Sequence, residues 1–164
     1  MNSPKLLIYG YGDPTLSYGK ITHELCARLE HWLRNSTWND GKIEQNHHFH
    51  LEDIETICSY DIVIFVCGAK GEYFHYICSE VVPAHTLPIS MEEIRPGEVL
   101  HLCSKFYSCC PKAFQVLIKD PVFPVPELEP QTTSLEQIFD FFKHLLWVVR
   151  DNWKPGNRSV FANF

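Results

Sequence analysis

"DIVIFVC", residues 61–67, is the clearest strand in the chain, an unbroken run of β-branched and other apolar residues after a single aspartate. A strand with one wet face alternates polar and apolar residues, whereas a continuous run is what a parallel strand buried on both faces requires. Such a strand needs neighbouring strands and a layer of helices on each side. "KLLIY" (5–9) reads as a second short buried strand, and "AFQVLI" (113–118) as another. "KIEQNHHF" (42–49) is a weaker strand, and "EYFHYICSEVV" (72–82) completes the set.

Helical patterns separate them. Ile21, Leu25, Leu29, Trp32 and Leu33 recur on one helical face. "HLEDIETICSY" (50–60) makes a short helix with Leu51, Ile54 and Ile57 inward. Pro96–Tyr107 forms another, its proline at the start, where the missing N–H costs nothing. Thr133 and Glu136 give a T-x-x-E capping box for the last helix, whose stripe is Leu135, Ile138, Phe142, Leu145 and Val149. "NSTWNDGK" (35–42), "VPAHTLPISMEEI" (82–94) and the proline-rich "KDPVFPVPELEP" (119–130) read as irregular. Alternating strands and helices predict a three-layer α/β/α sandwich with a mostly parallel central sheet. Residues 1–154 are expected to form one domain and 155–164 a loose tail. Ligands of such folds sit at the carboxyl ends of the strands.

Of the 164 residues, 45% are hydrophobic and 21% charged, and the formal net charge is −6 with no Lys/Arg-rich run. Nucleic acid and anionic membrane surfaces are therefore poor partners. No apolar run approaches the ~20 residues of a membrane span. No secretory pattern precedes the strand at Lys5, and the seven cysteines are odd in number and fall mostly within apolar patterns. Both features predict a cytoplasmic protein without a disulfide framework.

After the first strand the chain enters "GYGDPTLSYGK" (10–20). Turns of this kind cradle ligands, but two phosphate-binding patterns fail here. A dinucleotide fingerprint needs a third glycine where Thr15 stands. A P-loop needs four residues between its glycines and a hydroxyl after lysine, whereas Gly12 and Gly19 have six between them and Ile21 follows Lys20.

Another likeness covers roughly Lys5 to Leu146. "LIYGYGDPTLSYG" (7–19) resembles the opening of the nickel–iron hydrogenase maturation endopeptidases, whose turn runs G-x-G-N-x-L before an acidic pair and glycine. "FHLEDIETICSYDIVIFVCGAKGE" (49–72) is similar to that family's short helix, aspartate and apolar strand ending in Asp-Ala. "IRPGEVLHLCSKFYSCCPKAFQVLI" (94–118) resembles its segment of proline, paired leucines, an aromatic and Pro-x-Ala before a strand. "FPVPELEP" (123–130) resembles its phenylalanine-rich stretch. The resemblance implies an enzyme that removes the C-terminal extension of the hydrogenase large-subunit precursor after nickel insertion. Nickel would be carried by the substrate, with no tightly bound cofactor and a monomeric protein expected.

The resemblance also implies three metal-recognising side chains: an acidic residue in the first turn, an aspartate ending the central strand, and a histidine in a later loop. Two carboxylates and an imidazole suit nickel and can activate water. This sequence substitutes all three. Tyr18 precedes Gly19 in the turn, Cys67 fills the aspartate position, and Glu92 or Met91 falls at the histidine, depending on alignment from Pro96 or Ser90.

The substituted residues leave alternatives open. Cys67 reads as a thiolate ligand or nucleophile, or as a small residue closing a strand. Asp13 reads as a replacement carboxylate, or as an acceptor of backbone N–H groups in its turn. Tyr18 reads as packing or rim, and Glu92 as part of a solvated loop. Gly10, Gly12 and Gly68 are the expected substrate-binding backbone. In "NHHFH" (46–50), His48 and His50 would share a strand face at metal-ligand spacing. "SCCP" (108–111) reads as a helix-terminal turn. Two functions follow: a maturation protease-like protein with a degenerate metal-recognition site, or a non-catalytic peptide-binding or chaperone-like relative.

Overall fold

The computed structural model describes residues 3–69, 76–90, 94–119 and 135–153. Its elements run β1 (Leu6–Tyr11), α1 (Ser17–Arg34), β2 (Gly41–Asn46), α2 (Leu51–Cys58), β3 (Ile62–Ala69), β4 (Tyr76–Val81), α3 (Pro96–Tyr107), β5 (Lys112–Lys119) and α4 (Leu135–Asn152). The sheet order is β2-β1-β3-β5-β4. β2, β1, β3 and β5 are parallel, and β4 closes the β5 edge antiparallel. The predicted mostly parallel sandwich is therefore the observed one.

β3 occupies the centre because each of its faces meets its own apolar layer. Ile62, Ile64 and Val66 join Leu25 and Leu29 of α1 and Ile138, Phe142 and Leu146 of α4. Val63 and Phe65 join Ile54 and Ile57 of α2 and Val99, Leu100 and Cys103 of α3. β1 divides the same way, with Leu6 and Ile8 toward α1 and α4, and Leu7 and Tyr9 toward α2 and α3. A one-residue slip would exchange the two sets, so the register is fixed by packing on both sides.

Several sequence expectations are corrected. Leu51 is exposed while Ile54 and Ile57 are buried, because α2 begins only at Leu51 and its first turn points outward. The polar break at 35–42 holds a buried residue, Trp38, packed with Leu33 on the α1 and α4 side. β2 ends at Asn46, so His48 and His50 do not share a strand face. Phe49 between them turns inward to stack on Tyr9, and the two histidine rings lie 4.5 Å apart outside the sheet. The cysteines are not all free: Cys58, ending α2, is bonded to Cys109, just after α3. Those two helices pack side by side, which brings their C-terminal ends together. Thr133, the proline-rich 119–130 beyond Lys119, and the tail lie outside the described residues.

Candidate functional site

The strand order reverses between β1 and β3, since β1 leads on to β2 at one side and β3 to β5 at the other. Crevices of α/β sheets open at the carboxyl ends of such a pair. Here those ends are Tyr9–Asp13 and Val66–Ala69.

Alternation along β1 sends Tyr9 and Tyr11 to the α2 face and Gly10 to the α1 face. Gly10 is needed there: a β-carbon would come within 2.6 Å of the Cys26 sulfur. Gly12 has φ +140°, a conformation that side chains rarely tolerate. A β-carbon on Gly19 would overlap the carbonyl of Asp13, and one on Gly68 would overlap the carbonyl of Tyr18. The start of α1 is thus pressed backbone to backbone against the turn after β1 on one side and the end of β3 on the other. Gly10 and Gly12 let β1 and its turn approach α1, and Gly68 lets the end of β3 do the same.

Asp13 closes the turn on itself. Its carboxylate accepts from the Thr15 hydroxyl at 2.7 Å and the Thr15 N–H at 2.8 Å, and its carbonyl accepts from the Leu16 N–H. These donors hold its pKa below the ordinary carboxylate value, the hydroxyl contributing most. His23 approaches the Gly12 carbonyl at 3.3 Å, and its ring lies 6.5 Å from that of His47.

On the α2 face two linked polar groups stand among aromatic rings. The Tyr9 hydroxyl donates to Asp53 at 2.5 Å and accepts from the Asn46 amide at 2.9 Å. Asp53 in turn accepts the His50 N–H at the start of α2, fixing helix to strand. Further along, the Gln115 amide donates to the Tyr11 hydroxyl at 2.8 Å, and both groups stand beside the Cys67 thiol. Burial pushes the Cys67 thiol up, and these two neighbours partly offset it. Phe49 lies between the groups, 5.0 Å from the Tyr9 ring and 4.7 Å from that of Tyr11.

The structure therefore places Cys67 with Tyr11 and Gln115, and Asp13 with Thr15 in the turn. Tyr18 meets β3 through its backbone at Gly68. Met91 and Glu92 lie outside the described residues. The sequence reading missed Tyr9, Tyr11, Asn46, Asp53 and Gln115. Tyr9 and Tyr11 carried a signal, because two tyrosines at i and i+2 of a buried strand share a face and need partners for their hydroxyls.

A mostly parallel sheet with helices on both faces and polar side chains gathered at its switch point defines a three-layer α/β domain. Its fold is that of the hydrogenase maturation proteases. The structure is similar to the [NiFe] hydrogenase maturation protease HycI from Thermococcus kodakarensis, at TM-score 0.60 and 14% identity over 89% of this chain and 94% of that one. It is similar to the hydrogenase maturating endopeptidase HybD from E. coli, at TM-score 0.60 and 20% identity over 90% and 93%. An endopeptidase from Escherichia coli solved in solution gives TM-score 0.54 and 14% identity over 88% and 91%. At these identities the likeness is one of fold. No family model and no curated protein sequence matches the chain.

Among the described residues, no helix is long and apolar enough to cross a membrane.

Proposed function

We propose that this chain is a hydrogenase maturation protease-like protein of the cytoplasm that engages the C-terminal region of a nickel–iron hydrogenase large-subunit precursor, and that its metal-recognition site is degenerate. Nickel belongs to the substrate in this reading. The fold shared with HycI and HybD supports the partner. The observation that carries the degenerate site is Cys67, which stands where the sequence resemblance expects an aspartate, half-buried at the end of β3 beside the Tyr11–Gln115 hydrogen bond.

The other substituted positions support the same reading. Asp13 is occupied by Thr15, and Tyr18 is engaged through its backbone. Hydrolysis by this route needs an activated water held by preorganised carboxylates and an imidazole. Removing one such group commonly costs about 10²–10³ in rate. Binding of the precursor outlasts its cleavage.

The test incubates nickel-loaded precursor with the wild-type protein and with the Asp13→Ala and Cys67→Ala variants. Mass spectrometry and co-purification read out clipping and complex formation. A stable complex with an untrimmed precursor is expected. Efficient clipping by the wild type, lost in either variant, would restore a working protease and overturn the degenerate site. Absence of any complex would overturn the partner.

A further inference from the structure

At the opposite end of the sheet from the carboxyl ends of β1 and β3, three cysteine sulfurs meet. Cys58, Cys103 and Cys109 each offer a sulfur, and all three lie within 4.8 Å of one another. They come from the last residue of α2, the interior of α3 and the link between α3 and β5. Cys103 is fully buried and Cys58 and Cys109 are half-buried, with all three set in the apolar layer between α2, α3 and the sheet. The chain between α3 and β5 is shaped to return Cys109 there: Ser108 is left-handed at φ 50°, and the Cys109 N–H bonds the Cys103 carbonyl.

We propose that in its reduced form this cluster is a thiolate site for one soft divalent cation of the zinc type, and that the Cys58–Cys109 disulfide is its closed, metal-free form. Tetrahedral zinc with bonds of about 2.3 Å holds its sulfurs roughly 3.8 Å apart. Cys103 is already within that range of movement, and opening the disulfide frees the other two. The C-terminal ends of α2 and α3 also converge here, and helix carbonyl ends favour a cation. Cys110 is exposed and directly follows Cys109 in the chain, which makes it the candidate for the fourth position.

The chemistry balances in two steps. A dithiol reductant gives two electrons and two protons to the disulfide, yielding two protein thiols and its own cyclic disulfide. The three thiols then release three protons as their sulfurs bind the cation.

The experiment uses the full chain, reduced and oxidised, titrated anaerobically with cadmium as a spectroscopic probe and with zinc in competition. The reduced protein is expected to develop a thiolate-to-metal charge-transfer band that saturates at one equivalent, and zinc to raise its Tm. The oxidised protein should show neither effect. Cys109→Ser, at a half-exposed position, and Cys103→Ser should each weaken binding at least tenfold, with circular dichroism checking the fold. Cys78→Ser, on β4, should leave binding unchanged. No saturating band in the reduced wild type, or wild-type affinity in folded Cys109→Ser, would overturn the site.

Discussion

The backbone carbonyl of Tyr18 occupies the space in which a β-carbon on Gly68 would stand, so the start of α1 and the end of β3 fit each other through a missing side chain. Neither partner can yield by rotating a side chain, because the clash is with backbone. Gly68→Ala should therefore destabilise the protein by about 2–3 kcal/mol, as overpacked sites do. Urea denaturation followed by circular dichroism measures it. An unchanged midpoint would show that the start of α1 moves freely.

Val63 faces α2 and α3 from the central strand and is fully buried. Val63→Asp places a carboxylate there with no partner supplied. The cost should be several kcal/mol, on the order of 3–5. Thermal unfolding is the measurement, and an unaltered Tm would contradict the central placement of β3.

Cys67 should be a slow nucleophile at neutral pH. Burial raises its pKa, and the neighbouring Tyr11 and Gln115 lower it again in part. Raising a thiol pKa by one lowers its thiolate population at neutral pH about tenfold. Tyr11→Phe removes one of the compensating groups, so alkylation of Cys67 should slow further. Peptide-mapped iodoacetamide kinetics across pH 7–9 would report it, and faster labelling in Tyr11→Phe would show that access governs instead.

The Tyr9 hydroxyl is driven far above the ordinary tyrosine range, first by burial and then by its bond to Asp53. A folded-state pKa above the unfolded one gives stability that is complete below the unfolded value of about 10 and is lost as pH rises beyond it. Stability of the wild type should fall with alkaline pH from about 10, and less steeply in Tyr9→Phe. Denaturation midpoints at pH 8 to 11 test this. Equal slopes would remove Tyr9 from the linkage. At neutral pH the same variant should cost about 1–2 kcal/mol, because Asn46 and Asp53 lose a partner.

Much of the fold was legible because burial writes itself into residue order. The run at 61–67 declared a two-sided strand, and α3 was bounded as observed, from a proline at its start to Tyr107. Polar groups were harder to read. Whether Tyr9 meets Asp53, or Tyr11 meets Gln115, depends on which helix and strands become neighbours, and spacing within one strand does not report that. His48 and His50 misled because a period-two pattern says nothing about where pairing stops, and Phe49 gains more by entering the aromatic layer than by continuing β2. The cysteine pairing was hidden for the same reason: residues 58 and 109 become adjacent only once α2 lies against α3.

The sheet order has a kinetic consequence. The central pairings join Leu6 to Ile62 and Ile62 to Lys112, so each parallel ladder closes a long excursion of chain before its contacts stabilise anything. Local helix formation is fast by comparison, within about a microsecond for a short peptide. The slow event in folding this molecule is the meeting of β1, β3 and β5, which sets its refolding rate below that of a helical bundle of the same length.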